Sequence, residues 1–451
     1  MHRSRTVMRL VAPARVLRYP FDVVASSAWD IRAPAAQARI ATAIAVAALL
    51  VRLAYALALA PARGGPLLPD EQVYDALGWN LASSGELAVT PGAPTAQREP
   101  LYPLFLAAVY TVAGHRPLAA LLVQAALGAF AALLVFLIAR RLTGPRAALA
   151  ASALTAFHPP LVYFGGRLLR EVLVTVLLLG AVLALLAAAD GQRGRTGRSW
   201  LLAGALLGLG ATAASALAAV FAAAVPAAAL VAGWRRGALP FACGFLLALA
   251  PWAGRNAVVF QTLIAGSTNG GKTFWDGTDK IPFEARGLPD EARLLADHPD
   301  IIAAAALPDE VSRERHFYRR TFAFIGERPG HYLALTGRKF LKFWRPWPHA
   351  GRDYGHSRAL AVLTGALVTA PILLLGAAGA LLLPPGRTWP LIVPIVGLTL
   401  VYSLFWSQVR YRLPLEPLFI VLATATVARF FAPPSGASLP PQREPGRRRR
   451  G

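Results

Sequence analysis

Two adjacent carboxylates, Asp70 and Glu71, follow the first long apolar segment and begin a segment of helical periodicity that extends to Ser84. At a membrane surface one carboxylate can act as a general base while its neighbour orients the reacting groups, and the pair can also bind a divalent cation. Acidic residues equally favour the first turn of a helix, where free amides and the helix dipole stabilise them. The pair therefore predicts either a catalytic site or a helix N-terminus.

Two further charged residues lie within or beside apolar segments. Arg52 interrupts the first such segment, and Glu171 begins a later one. Ionisable side chains inside a membrane are costly and usually face a cavity or a partner. Long side chains near a segment end can instead extend to the headgroups. Both readings stay open from the sequence.

Arginines also follow or precede apolar segments at three positions: Arg255, which follows Trp252, and Arg410 and Arg412, which flank Tyr411. The planar guanidinium suits a phosphate group because it donates several hydrogen bonds in a fixed geometry. Anchoring in the membrane interface beside Trp and Tyr is the alternative.

Residues 266–273 satisfy the phosphate-binding pattern Gly-x-x-x-x-Gly-Lys-Thr. That motif requires a buried strand before it and a helix after it, whereas here an apolar span precedes it. We expect instead a glycine-rich turn in which Gly270 and Gly271 offer backbone amides to a substrate.

Metal-binding patterns are weak. The histidines are scattered without ligand spacing, and the single cysteine, Cys243, excludes an internal disulfide and a cysteine metal site. A divalent cation at Asp70 and Glu71 is the one cofactor that the sequence leaves open.

The elements that must position these residues are membrane helices. The chain has 451 residues, of which 56% are hydrophobic, and several segments run for about 20 residues with at most one charge, which is enough to cross the hydrocarbon core. The sequence predicts an all-α polytopic membrane protein of about ten transmembrane helices, with juxtamembrane helices and a mixed helical outer domain. The predicted spans are residues 40–61, 117–139, 147–163, 169–189, 199–214, 216–233, 238–254, 358–383, 389–406 and 413–431.

The charges of the connections predict the sides of the membrane. The formal net charge is +23, and the arginines concentrate on alternate connections, which the positive-inside rule places in the cytoplasm. We therefore expect a membrane partner and no nucleic acid. The apolar segment Leu101–Gly114 is short for a span, and counting it would invert every later connection, so we predict a juxtamembrane helix there.

The resulting domain organisation has five parts, within which residues 309–325 and 329–343 are predicted to form amphipathic helices. The parts are a basic cytoplasmic tail (1–39), an N-terminal transmembrane catalytic module (40–254) with a first outer loop (62–116), an outer domain (255–357), C-terminal transmembrane helices (358–431), and a disordered basic tail (432–451).

Several short motifs, taken in order over about residues 40–430, resemble the bacterial branch of the GT-C glycosyltransferases. That branch is similar to the dolichyl-phosphate-mannose–protein mannosyltransferases and the aminoarabinose–lipid A transferases. The motifs are residues 70–74 with Gly85, residues 99–103, 167–171, 251–256 with 269–271, and 410–414.

The resemblance implies a helical bundle whose outer loops form the catalytic cavity. It implies Asp70 as base or metal neighbour, with Glu71 and Glu171 as further catalytic candidates, although Arg170 departs from the family pattern and leaves the role of Glu171 open. The candidates for binding substrate or phosphate are Arg52, Tyr74, Arg255, Asn256, Gly270, Gly271, Arg410 and Arg412.

The implied function is transfer of a sugar, with inversion, from a polyprenyl-phosphate-linked donor to an extracytoplasmic acceptor, which is a lipid, glycan or protein. The implied location is the cell inner membrane, with the active site outside the cytoplasm. A transporter or flippase of a lipid-linked or acidic solute, with Arg52 and Glu171 as its intramembrane sites, is the alternative, and a non-catalytic scaffold is a third. The chain shows no internal repeat, which disfavours a transporter built on inverted repeats.

Overall fold

The computed structural model describes residues 35–62, 67–190, 196–231, 237–278, 295–347 and 357–430. Within these ranges the chain is a bundle of helices joined by loops, and the only β-type pairing is an isolated bridge between Ala88 and Pro94. The predicted all-α fold is confirmed. The two predicted tails fall almost entirely outside the described residues.

Helices occupy all ten predicted span positions. Seven are long and apolar enough to cross a membrane, and a bent pair supplies an eighth. The remaining two have 16 and 15 residues. In chain order the ten are Ala35–Ala62, Pro117–Leu142, the bent pair Pro145–Phe157 and Pro159–Gly165, Glu171–Ala189, Thr196–Ala211, Leu217–Val231, Ala238–Phe260, Arg358–Leu382, Pro385–Leu404, and Val409–Phe430.

Small residues allow the helices Thr196–Ala211 and Ala238–Phe260 to pack closely. A Cβ at Gly208 would lie 2.5 Å from the carbonyl oxygen of Phe245, and a Cβ at Gly204 or Gly244 would also collide with the facing backbone. Lipid tails are as apolar as the helices, so close backbone approach is a main source of association energy in a membrane.

The bent pair turns by 45° at His158. Pro159 and Pro160 have no amide hydrogen, so the first helix cannot continue and its last carbonyls lose their partners. Arg52 fills this gap: its guanidinium donates to the carbonyl of Ala156 at 2.5 Å and to that of Thr155 at 3.4 Å. These hydrogen bonds to the helix end thus compensate for the burial of the Arg52 charge among the spans.

The two long connections contact each other at one end of the bundle, which we call the loop face. Thr95 Oγ1 and the amide of Ala96 both donate to the carboxylate of Glu310, each at 2.7 Å. The helices of the loop face are Pro69–Ser84, Leu101–Ala113, Gly270–Asp276, Pro299–Ala305, Glu310–Glu327 and Pro329–Trp344.

The juxtamembrane assignment of the first loop agrees with the structure. Leu101–Ala113 has 13 residues and packs on the helix Pro69–Ser84, where Gly78 leaves room for Leu106. A helix of 13 residues is short for a span, so the juxtamembrane position and the order of the later spans stay as the charges predict. The two amphipathic helices of the outer domain also form, within two residues of their predicted ends.

Candidate active site

A cavity of about 780 Å³ opens at the loop face, and we call it the polar cavity. The first loop, the N-terminus of the span Glu171–Ala189, the loop after Gly266 and the turn around Arg410 all contribute to it. Among the described residues its charged lining consists of four cations and four carboxylates: Arg98, Arg170, Lys272, Arg410, Asp70, Glu99, Glu171 and Asp276.

Asp70 lies in the first turn of a helix whose start and end follow from its sequence. Pro69 occupies the first helical position, and Gly85 ends the helix in the left-handed conformation with φ of 75°. The Asp70 carboxylate accepts hydrogen bonds from Arg98, at 3.1 Å, and from Arg410. Burial raises the pKa of Asp70, but the charges of Arg410 and Arg98 outweigh this effect and hold it at about 2. Asp70 is therefore ionised and clamped between two arginines.

Glu71 points away from this cavity. Its buried carboxylate accepts from the amides of Leu68 at 3.0 Å and Leu168 at 2.9 Å, and Arg167 lies 3.7 Å away. It caps its own helix and ties that helix to the segment before Glu171. The predicted catalytic role of Glu71 gains no support from this geometry, whereas the alternative reading, a helix N-terminus, describes it.

Glu99 and Arg170 form a second ion pair in the polar cavity, at 2.6 Å. Glu99 also accepts from the amide of Ser215 at 2.9 Å and from its hydroxyl at 2.5 Å. Burial raises the pKa of Glu99, but Arg170 and the Ser215 hydrogen bonds hold it below its usual range. Arg170, which departs from the family pattern, thus lines the cavity and is paired there with Glu99.

Glu171 also lies beside Arg410, which contacts Asp70. Its Oε1 is 3.6 Å from Arg410 Nε, and its side chain lines the polar cavity. Its Oε2 and Arg410 Nε are buried without a hydrogen-bond partner. Arg410 therefore contacts two carboxylates, and the structure brings Asp70, Glu171 and Arg410 together, whereas the sequence left the role of Glu171 open.

Arg412 is separated from this group, although it is only two residues from Arg410. The turn Val409–Leu415 is a 3-10 helix, and it directs Arg412 into the bundle, where it is 0% exposed. Its guanidinium donates to Glu416 at 3.0 Å and to the carbonyls of Phe343 and Arg345. The predicted phosphate contact of Arg412 is not favoured here, because its nitrogens serve the protein.

Arg255 and Asn256 are also used within the protein. Arg255 donates to the carbonyl of Thr95 at 3.0 Å and to Asn256 at 2.9 Å, and it covers the ring of Trp252. Asn256 is buried and donates to the carbonyl of Ile264. The pair joins the end of a span to the first loop and does not line the polar cavity, and Arg52 likewise serves the bent helix described above.

Tyr74 lines the polar cavity beside Asp70 and packs edge-on against Tyr102, with ring centroids 4.9 Å apart. Burial raises the pKa of Tyr74 to about 12, so the phenol stays protonated and can donate to a substrate oxygen. Its predicted role as a binding residue fits this position.

The helix Glu310–Glu327 packs closely against Gly270 and Gly271, which explains the need for glycine at these two positions. The amide of Gly271 donates to Glu314 at 2.9 Å, and a Cβ at this glycine would lie 2.5 Å from the backbone oxygen of Glu314. Burial raises the pKa of Glu314 to about 7 despite these amide contacts. A carboxylate of the chain thus occupies the amides that the motif offers to a phosphate, although Gly270 also lines the polar cavity.

A second cavity, of about 420 Å³ and mainly apolar, lies on the other side of the turn around Arg410. We call it the apolar cavity, and it is bounded by the first span, the bent pair and the span Arg358–Leu382. Its lining includes Val51, Tyr55, Phe157, Leu360, Val409 and Leu413. Val409, Arg412 and Leu413 line this cavity while Arg410 and Tyr411 line the polar one, so the turn borders both spaces.

Sequence reasoning did not single out Arg98, Ser215 or the pair Lys272–Asp276, which the structure places in the polar cavity. The one signal available for Arg98 was its position between the first loop and an apolar helix. In the described part of the chain no group of three or more His, Cys, Asp and Glu side chains is arranged to hold a metal ion.

Residues 94–253 match the family model described as dolichyl-phosphate-mannose-protein mannosyltransferase. No curated protein sequence matches the chain.

Solved structures include similar helical folds. The archaeal oligosaccharyltransferase AglB from Archaeoglobus fulgidus, in complex with an inhibitory peptide and a dolichol-phosphate, has a TM-score of 0.50 and 15% sequence identity, covering 87% of this chain and 50% of that one. ArnT from Cupriavidus metallidurans has a TM-score of 0.42 in the apo state at 15% identity, covering 86% of this chain and 77% of that one. Bound to undecaprenyl phosphate, it has a TM-score of 0.43 at 16% identity, with coverages of 86% and 78%. The chain thus spans half the length of the oligosaccharyltransferase chain, and the likeness is one of fold.

Proposed function

We propose that the chain is a GT-C superfamily glycosyltransferase related to the dolichyl-phosphate-mannose–protein mannosyltransferases, whose family model matches residues 94–253, and that it transfers a sugar from a polyprenyl phosphate to an acceptor outside the cytoplasm. One observation carries the proposal. A carboxylate, Asp70, and two arginines, Arg98 and Arg410, meet in a polar cavity that adjoins an apolar one.

Donor binding would use both cavities. The two arginines offer the charge and hydrogen bonds that a phosphate requires, and the apolar cavity offers a space for the first units of the polyprenyl chain. The turn Val409–Leu415 borders both spaces, as the link between a lipid tail and its phosphate demands. The archaeal protein of similar fold is described in complex with a dolichol-phosphate.

The transfer would be a single displacement. The acceptor oxygen forms a bond to the anomeric carbon, the bond from that carbon to the phosphate oxygen breaks, and the acceptor proton moves to Asp70. Arg98 and Arg410 stabilise the charge that accumulates on the departing phosphate. Attack from the face opposite the phosphate gives inversion, and Glu171 holds Arg410 in place.

Positive charge at the phosphate could come from the arginines or from a divalent cation held by Asp70 and Glu171. The geometry supports the arginines, because Arg410 already lies between these two carboxylates. We expect transfer to persist when divalent cations are removed with a chelator. Restoration of lost activity by one added cation would assign the metal role to the carboxylates instead.

The acceptor would approach from the outer domain. The loop after Gly266 and the helix Glu310–Glu327 supply polar and aromatic lining, including Asn269, Lys272 and Tyr318. Hydroxyl-bearing acceptors are bound by such mixtures of hydrogen-bonding and aromatic groups. The alternative transporter hypothesis relied on Arg52 as an intramembrane site, and the structure uses that residue to complete a bent helix.

The test is transfer by the purified full-length protein in proteoliposomes that contain undecaprenyl-phosphate-linked sugars. Replacement of the base, Asp70→Asn, is expected to lower the rate by about 10²–10⁴-fold. Asp309→Asn is the matched control, because Asp309 is an exposed helix cap outside the cavity and Asn caps a helix equally well. Full activity of Asp70→Asn would reject the mechanism.

A further inference from the structure

We propose that Asp70 and the carrier phosphate compete for the same two arginines, so that donor binding releases Asp70 to act as the base and Asp70, once ionised again, displaces the product phosphate. This inference rests on the proposed function and adds the order in which the charged groups exchange partners.

The first support is that each cation lining the polar cavity already has a carboxylate, in the part of the chain that the structure describes. Arg98 and Arg410 hold Asp70, Arg170 holds Glu99, and Lys272 holds Asp276 at 2.6 Å. A phosphate that enters therefore finds no uncommitted cation and must displace a carboxylate to gain a charge-assisted hydrogen bond.

The second support is that Asp70 is the carboxylate easiest to displace. Its side chain is 28% exposed, whereas that of Glu99 is 7% exposed, and both hydrogen bonds that Asp70 accepts in the described structure come from arginines. Glu99 accepts from backbone and hydroxyl groups of Ser215 as well. Asp276 is similarly exposed, and its partner Lys272 lies on the same helix. At Asp70 a phosphate would gain two guanidinium groups by displacing one carboxylate.

The exchange of partners would also raise the basicity of Asp70. An aspartate held by two arginines binds a proton weakly and is a poor base. When the donor phosphate takes Arg98 and Arg410, Asp70 loses the charges that stabilise its ionised form and becomes more basic. Asp70 thus becomes a stronger base only when a donor is bound. An acceptor is therefore activated only when there is a sugar to transfer.

The charges balance over a turnover. The donor is a phosphodiester with one negative charge, and the product carrier is a phosphomonoester that gains a second as the glycosidic bond breaks. The acceptor proton resides on Asp70, which is neutral at that moment and does not compete. When Asp70 loses this proton to water, its charge returns, and it reclaims Arg98 and Arg410 from the product phosphate.

The test is equilibrium binding of undecaprenyl phosphate, which carries no sugar, to the purified full-length protein in detergent, with uncharged undecaprenol measured in parallel. Asp70→Asn removes the competitor, so we expect it to bind undecaprenyl phosphate about tenfold or more tightly than the wild type, with undecaprenol unchanged and transfer lost. Asp309→Asn should bind as the wild type does.

Equal or weaker binding of undecaprenyl phosphate by Asp70→Asn would overturn the inference, because a residue that only helps to hold the donor gives that result. Asp70→Ala removes the same charge and should show the same gain, which guards against a misfolded first variant. If the wild type does not distinguish undecaprenyl phosphate from undecaprenol, the proposed function fails, and the inference fails with it. If the wild type prefers undecaprenyl phosphate but neither Asp70 variant binds it more tightly, the competition is rejected and the proposed function stands.

Discussion

At the scale of single residues, Arg410 and Arg412 have different environments although they are two positions apart. Arg410 faces the polar cavity and contacts Asp70 and Glu171. Arg412 is buried with Glu416, whose other oxygen is 2.6 Å from His158. Arg410 is thus open to the polar cavity, whereas Arg412 joins the turn to two spans and the outer domain.

Substitution of these two arginines should therefore have different effects. Arg410→Gln is expected to lower transfer by about 10²-fold or more because it removes a phosphate contact, while the protein still folds. Arg412→Gln leaves Glu416 without its cation in a buried site, which costs about 3–5 kcal/mol. Activity and thermal unfolding of the purified variants measure the two effects. A stable Arg412→Gln with lost transfer would instead place Arg412 at the phosphate.

At the scale of elements, the glycine-rich loop shows how a motif can match a pattern and serve another purpose. Its amides meet the carboxylate of Glu314 from a helix that the sequence places about 40 residues later. A nucleotide-binding loop requires a strand before it, and here a transmembrane helix ends at Phe260. The glycines allow the outer-domain helix to approach the loop.

We expect Gly271→Ala to destabilise the outer domain by about 1–3 kcal/mol, because the added Cβ would lie 2.5 Å from a backbone oxygen of Glu314. Gly254→Ala is the matched control, since no atom lies within 4 Å of a Cβ at that helical position and alanine there is favoured by up to about 1 kcal/mol. Thermal unfolding of both variants checks this. A Gly271→Ala protein of normal stability that loses donor affinity would show that the loop binds the donor.

At the scale of the whole molecule, charge and shape agree on orientation. The loop face carries the polar cavity, and the opposite face carries basic residues such as Arg140, Arg141 and Arg146 at the ends of spans. Arg141 pairs there with Asp190 at 2.8 Å. From the positive-inside rule we propose that the basic face is cytoplasmic and that the polar cavity lies outside the cytoplasm.

Cysteine labelling tests this orientation, since Cys243 is the only cysteine of the chain and can be replaced by serine. A cysteine at the exposed Ser84, on the loop face, should react with a membrane-impermeant maleimide in intact spheroplasts. A cysteine at the exposed Gly144, on the opposite face, should react only after lysis. The reverse pattern would place the site in the cytoplasm and contradict an extracytoplasmic transferase.

The sequence by itself determined the helical membrane fold, the positions of the helices at the predicted spans and the short apolar helix Leu101–Ala113, and it made Asp70 a candidate site residue. These follow from local properties. Apolar length, charge bias and helical periodicity act over one segment at a time, and a bilayer enforces them because unpaired backbone groups are costly there.

Only the tertiary structure decided which charged residues share a cavity. Asp70 and Arg410 are 340 residues apart, and their contact depends on how the turn Val409–Leu415 packs against the first loop. Hydrogen bonds within the protein likewise separate Glu71, Arg255 and Arg412 from the site, because each satisfies backbone or side-chain groups of its own neighbourhood. Residue type shows that an ion pair can form, whereas the packing of distant helices decides which partner it has.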